Sequence, residues 1–136
     1  MKVGLIGYSG QKFDQEKALE HISEAFNIVE DLFGDDGHML VSGLTDIGIP
    51  WLGYREADMR GWCLVGVACA KAKDYPCYHV HKEIIIGDNW GDESTTFINM
   101  LDVIIRVGGG KQSQQEIEMA RSLGIMTIEY ELESIS

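Results

Sequence analysis

The 136-residue chain is short of cations, cysteine, proline and long apolar runs, and each shortage narrows what it can be. Lys and Arg total 11 against 22 Asp and Glu, a net charge of −11. Such a surface repels nucleic acid and anionic membranes, so neither is expected as a partner. An anionic small ligand would have to be held by local dipoles. The cysteines, Cys63, Cys69 and Cys77, are odd in number and match no zinc or redox spacing, so they read as free, mostly buried thiols. His21, His38, His79 and His81 are scattered. His79 and His81 share one strand face but have no third partner nearby, and neither a metal nor a cofactor is expected. No stretch approaches the roughly 20 apolar residues of a membrane span, and Met1–Gly7 reads as a strand with no signal-peptide core, so a cytoplasmic location is expected. Only Pro50 and Pro76 occur, which suits residues 1–136 forming a single domain without linkers.

Glycine, by contrast, is plentiful and clustered. The run Asp102–Val107 is mostly apolar and β-branched, ends in Gly108-Gly109-Gly110, and changes period into a helix through Lys111-Gln112-Ser113-Gln114-Gln115-Glu116. Strand, glycine turn and helix in this order form an anion site. The glycines admit φ > 0 and a close ligand, and the first N–H groups of the helix lack partners. Lys111 adds a cation and Ser113 a hydroxyl. Ser113 and Glu116 also fit a capping box, S-x-x-E, whose work is only to start the helix, and both readings stand at this level.

The same punctuation recurs along the chain. Lys2–Ile6 reads as a strand closed by Gly7-Tyr8-Ser9-Gly10. Leu19, Ile22, Phe26, Val29 and Phe33 form the apolar stripe of a helix ending near Gly34. His38–Val41 is a second strand, followed by a small-residue loop, Ser42-Gly43-Leu44-Thr45-Asp46, and a helix over Trp51–Arg60. Thr45 and Asp46 suit ribose or base hydrogen bonds and equally suit a turn. Trp62–Cys69 reads as a strand buried on both faces, Tyr78–Ile86 as another, Phe97–Leu101 as part of a helix after a loop at Gly87–Ser94, Glu116–Leu123 as helix, and Ile125–Tyr130 as the last strand. Alternation of this kind predicts an α/β fold: a single Rossmann-like, doubly wound, mostly parallel sheet with helices on both faces. Ligand loops then gather at the carboxyl ends of the strands.

With these turns in place the chain resembles the SLOG superfamily, Rossmann-like nucleotide-binding domains related to the LOG, or lysine-decarboxylase-like, phosphoribohydrolases. Against the family signature P-G-G-x-G-T-x-x-E, Gly108 stands at the proline, Gly109 and Gly110 at the glycine pair, Lys111 at the free position, Gln112 at the third glycine, Ser113 at the threonine and Glu116 at the glutamate. Ser42-Gly43 resembles the family's second-strand loop and Gly7, Ser9 and Gly10 its first. The resemblance implies that these residues, with Thr45 and Asp46, bind a nucleotide-like small molecule, and that the chain forms a homo-oligomer, for which Trp51, Tyr54 and Trp62 are candidate anchors. Enzymes of the family pair the motif glutamate with an upstream arginine. Here Glu93 and Ser94 occupy about that place, and a carboxylate there repels both a phosphate and Glu116. Binding, as a sensor or carrier, is therefore the leading expectation. The alternative is a nucleoside 5′-monophosphate phosphoribohydrolase with Glu116 catalytic and Asp92 or Asp88 as a second carboxylate. A third reading is an interaction protein in which Gln112 fills the phosphate position.

Overall fold

The structure, a computed structural model, describes residues 1–135. Six parallel strands form the main sheet: β1 (Lys2–Gly7), β3 (Met39–Ser42), β4 (Cys63–Ala68), β5 (Lys82–Ile85), β6 (Val103–Val107) and β7 (Met126–Tyr130), in the order β5-β4-β3-β1-β6-β7. The chain builds outward from β1 in one direction through β3, β4 and β5, then returns to lay β6 and β7 on the other side. The winding therefore reverses between β1 and β6, where Gly7 lies opposite Val107 in register. In open sheets of this class the crevice at such a reversal is where ligands bind.

Strand periodicity assigns the two faces. Val3, Leu5, Leu40, Leu64, Val103 and Ile105 pack under α1 (Gln15–Phe33) and α2 (Gly48–Met59), meeting Ile22, Phe26, Val29 and Leu52. Ile6, Val41, Val65, Val67 and Ile104 pack on the opposite face under α3 (Ser94–Asn99) and α4 (Lys111–Ser122), meeting Phe97, Ile98, Ile117 and Ala120. The doubly wound sheet with helices on both faces is thus the architecture of the chain. Asp14 starts α1 by accepting from the Lys17 amide at 3.1 Å, and Gly34, at φ +89°, ends it.

Several expectations need correction. Leu19 and Phe33 lie outside the buried stripe of α1 and are exposed; Ala18 and Ala25 join the expected Ile22, Phe26 and Val29 instead, so small residues carry part of the stripe. Helix α4 begins at Lys111 with Gly110 as its N-cap, so Ser113 lies inside the first turn and the capping box does not form. Of the thiols, only Cys69 is buried. Tyr54 and Trp62 are core residues, stacked on Tyr78 and Phe26, and cannot anchor an interface; Trp51 alone remains partly exposed. Of the expected Tyr78–Ile86 strand, residues 78–81 are not strand. They are tied to the sheet end by Tyr78 N–H to Leu44 O and His81 N–H to Leu64 O, both 2.9 Å. A two-stranded antiparallel ribbon, β2 (Lys12–Phe13) with β8 (Ser134–Ile135), was not foreseen.

Among the described residues no helix is long and apolar enough to cross a membrane, and no three His, Cys, Asp or Glu side chains gather as metal ligands.

Candidate ligand cleft

A cleft of about 490 Å³ opens at the carboxyl ends of the strands, over the β1/β6 reversal. That volume is within the range of small-molecule sites. Four loops line it: Gly7–Gln11 after β1, Ser42–Thr45 after β3, Trp90 and Glu93 ahead of α3, and Gly110–Ser113 with Glu116 from α4.

Arg106 shapes the glycine turn from behind. Its side chain is buried, with Nε donating to Glu129 at 2.8 Å, Nη2 paired with Glu131, and Nη1 donating to the Gly108 carbonyl at 2.9 Å. The Gly108 N–H donates in turn to Tyr130 O at 2.9 Å. Gly108 has φ +64°, and a Cβ there would sit 2.7 Å from the Tyr8 ring and 2.8 Å from Leu132 O; Gly109 has φ +96°, and its Cβ would meet the Ser113 side chain. Both positions need glycine for backbone reasons. Gly110 differs: its φ is −101° and a Cβ would meet nothing within 4 Å.

No side chain caps α4. The first internal bond of the helix runs from Gln114 N–H to Gly110 O at 3.2 Å, so the amides of Lys111, Gln112 and Ser113 precede the intrahelical ladder and face the cleft end of the helix. Lys111 stands at the mouth. Helix α2 also starts near the cleft, but its Ile49 amide is already given to Tyr8 O at 2.8 Å, which ties the first loop to that helix and uses up a donor. The unpaired amide donors at the cleft are therefore those at the start of α4.

Gly7, Ser9, Gly10, Ser42, Gly43, Thr45, Gly110, Lys111, Gln112, Ser113 and Glu116 all line the cleft. Gly108 and Gly109 do not; they support the turn. Asp46 is turned away onto a separate groove with Trp51, Asp58, Tyr78 and His79, its amide bonded to Pro76 O at 2.9 Å. Ser42 is fully buried and its hydroxyl donates to Leu5 O at 2.6 Å, so it braces the loop and leaves the oxygen only as an acceptor. Asp92 and Asp88 are absent from the lining. The Asp92 carboxylate accepts from the Asp88 and Asn89 amides at 3.0 and 2.9 Å and holds the Gly87–Asp92 loop in shape.

Sequence reasoning missed Tyr8, Leu44, Phe97 and Trp90 as lining residues. Trp90 carried a signal, being a large apolar residue within a run of turn formers. Glu93 is the second carboxylate of the cleft. Burial, and after it the charge of Glu93, pushes the Glu116 carboxyl up to about 7, with the Ser94 side chain pulling the other way. Chemically the cleft therefore offers amide donors and one cation at one end, and a near-neutral acid beside a second carboxylate.

No protein-family model and no curated protein sequence matches the chain. Solved structures do share its fold. TM1055, a structural-genomics target, is 20% identical, with a TM-score of 0.72 over 93% of this chain and 71% of its own. The molybdenum cofactor carrier protein of Chlamydomonas reinhardtii is 17% identical, with a TM-score of 0.72 over 94% of this chain and 74% of its own. A second structure of that carrier gives 18% identity and a TM-score of 0.69. These likenesses establish a Rossmann-like α/β fold common to the three.

Proposed function

We propose that this chain is a divergent SLOG-type domain that binds and carries, or senses, a nucleotide-like ligand. Its phosphate rests on the first turn of α4 beside Lys111, and its sugar lies toward Gly43, Thr45 and Glu116. The observation that carries the reading is the uncapped N-terminus of α4 opening into a cleft at the reversal of strand order. The cofactor carried by the fold neighbour from Chlamydomonas adds one ligand class to test. Self-association belongs to this reading, with Trp51 as the remaining aromatic candidate, and sedimentation at the monomer mass would count against it. Native mass spectrometry of freshly purified protein is the test of the ligand. A bound phosphorylated heterocycle is expected; ligand-free protein that also ignores added nucleoside monophosphates would sink the proposal.

One observation favours phosphoribohydrolase activity as a second reading. A carboxyl poised at about 7 is suited to proton transfer at neutral pH. Against it, Lys111 is the only cation lining the cleft among the described residues, and Glu93 opposes charge on both Glu116 and a phosphate. Release of free base by the wild type, lost by about 100-fold or more in Glu116→Gln, would promote the hydrolase.

A further inference from the structure

The lining of the cleft changes character along the sheet. At the β1/β6 side it is glycine, serine, lysine and the amides of α4, whereas at the β4/β5 side it is Leu44, Val67, Ala68, Ala72, Phe97 and Trp90. Strands β4 and β6 are separated by β3 and β1, three strand spacings or about 14 Å. That length accommodates a molecule with a charged end and an apolar end lying across the strand tips.

Trp90 is the exposed member of the apolar end. More than half of its surface is open, at 53%, although the other tryptophans are wholly or partly covered. The loop that carries it is nevertheless braced. Gly87 and Gly91 take φ of +72° and +98°, Asp92 accepts from two amides of the loop, and the Gly91 amide donates to the Glu93 carboxylate at 3.2 Å. Tyr75 packs on the indole at a centroid distance of 6.0 Å, itself 57% exposed. A solvent-facing indole on the wall of a cleft, carried by a braced loop, buries nothing useful in the free protein. An aromatic surface of this kind stacks well on a flat ring, whatever its substituents.

We infer that Trp90 is the stacking platform for a flat heterocycle, so that the ligand is a planar, nitrogen-containing ring joined to a phosphate that reaches α4. This rests on the proposed phosphate site and adds the other end of the ligand. It also explains why the loop before α3 is braced by two carboxylates while Trp90 itself is left bare.

The test titrates nucleoside 5′-monophosphates and ribose 5-phosphate into wild type, Trp90→Ala and Trp90→Phe by calorimetry, with tryptophan fluorescence followed in parallel. Nucleoside monophosphates should quench wild-type fluorescence. Trp90→Ala should weaken them roughly 10–100-fold, Trp90→Phe should restore most of the affinity without the quench, and ribose 5-phosphate should bind all three alike. Equal loss of ribose 5-phosphate and nucleotide, or no loss of either, would overturn the platform while leaving the phosphate site standing. Failure of every phosphate ester to bind wild type would overturn both.

Discussion

Arg106 is a buried charge and Glu116 a half-buried one, and the structure gives them opposite roles. Arg106 has its charge met by Glu129 and Glu131 and its fork used on Gly108 O. Glu131 lies largely in water and Glu129 also pairs with Arg121, so Arg106→Met strands no buried carboxylate; it leaves the Gly108 carbonyl without its side-chain donor and should cost about 1–3 kcal/mol in denaturant unfolding. Arg106→Lys should keep the charge but lose the grip on the turn. Unchanged stability in Arg106→Met would refute the clamp. Glu116 is the reverse case, a carboxyl whose folded value is raised from 4.5 to about 7. The folded state then holds a proton that the unfolded chain releases first. The resulting stability is fully present below about 4.5 and is lost as pH rises through about 7. Glu116→Gln should flatten this fall and, without ligand, exceed wild type by on the order of 2–3 kcal/mol at pH 8 while matching it near pH 4. Parallel pH–stability curves for the two proteins would contradict the assignment.

At the scale of elements, what the sequence revealed depended on length. The longer segments were legible: β1, β4 and β6 as continuous apolar runs buried on both faces, and α1 as a stripe that repeats over several turns. The two-residue strands β2 and β8 carry no pattern, and their pairing depends on Phe13 and Ser134 meeting across most of the chain. The start of α4 stayed open in the sequence because Ser113 and Glu116 satisfy a local capping rule; the chain instead caps the helix at Gly110 and buries Ser113 against Gly109. Of the site, the glycine loops could be read from composition and the opposition of Glu93 to Glu116 from the motif spacing; the place of Trp90 on the cleft wall could not, since it comes from a loop folding over the sheet end. The turn itself separates two kinds of glycine. Gly109→Ala should destabilise the fold by about 1–3 kcal/mol, from positive φ and contact with Ser113. Gly110→Ala should fold normally and weaken phosphate binding, because its methyl enters open space on the cleft wall. Thermal melts and a binding titration check both, and a Gly110→Ala protein with full affinity would remove this turn from the site.

For the whole molecule, a net charge of −11 and one lysine in the cleft mean that an anion gains little from the overall field. What remains is local: oriented amides at one helix end, positioned by a clamp on Gly108 and by the reversal of strand order between β1 and β6. Phosphate recognition by α4 is thus the central claim, and it is tested most directly by comparing one nucleoside with its 5′-monophosphate in calorimetry on the wild-type protein at fixed pH and salt. The monophosphate should bind, and the nucleoside should bind at least ~10-fold more weakly, the scale of one or more charge-assisted hydrogen bonds. Equal affinity for the two would contradict the account.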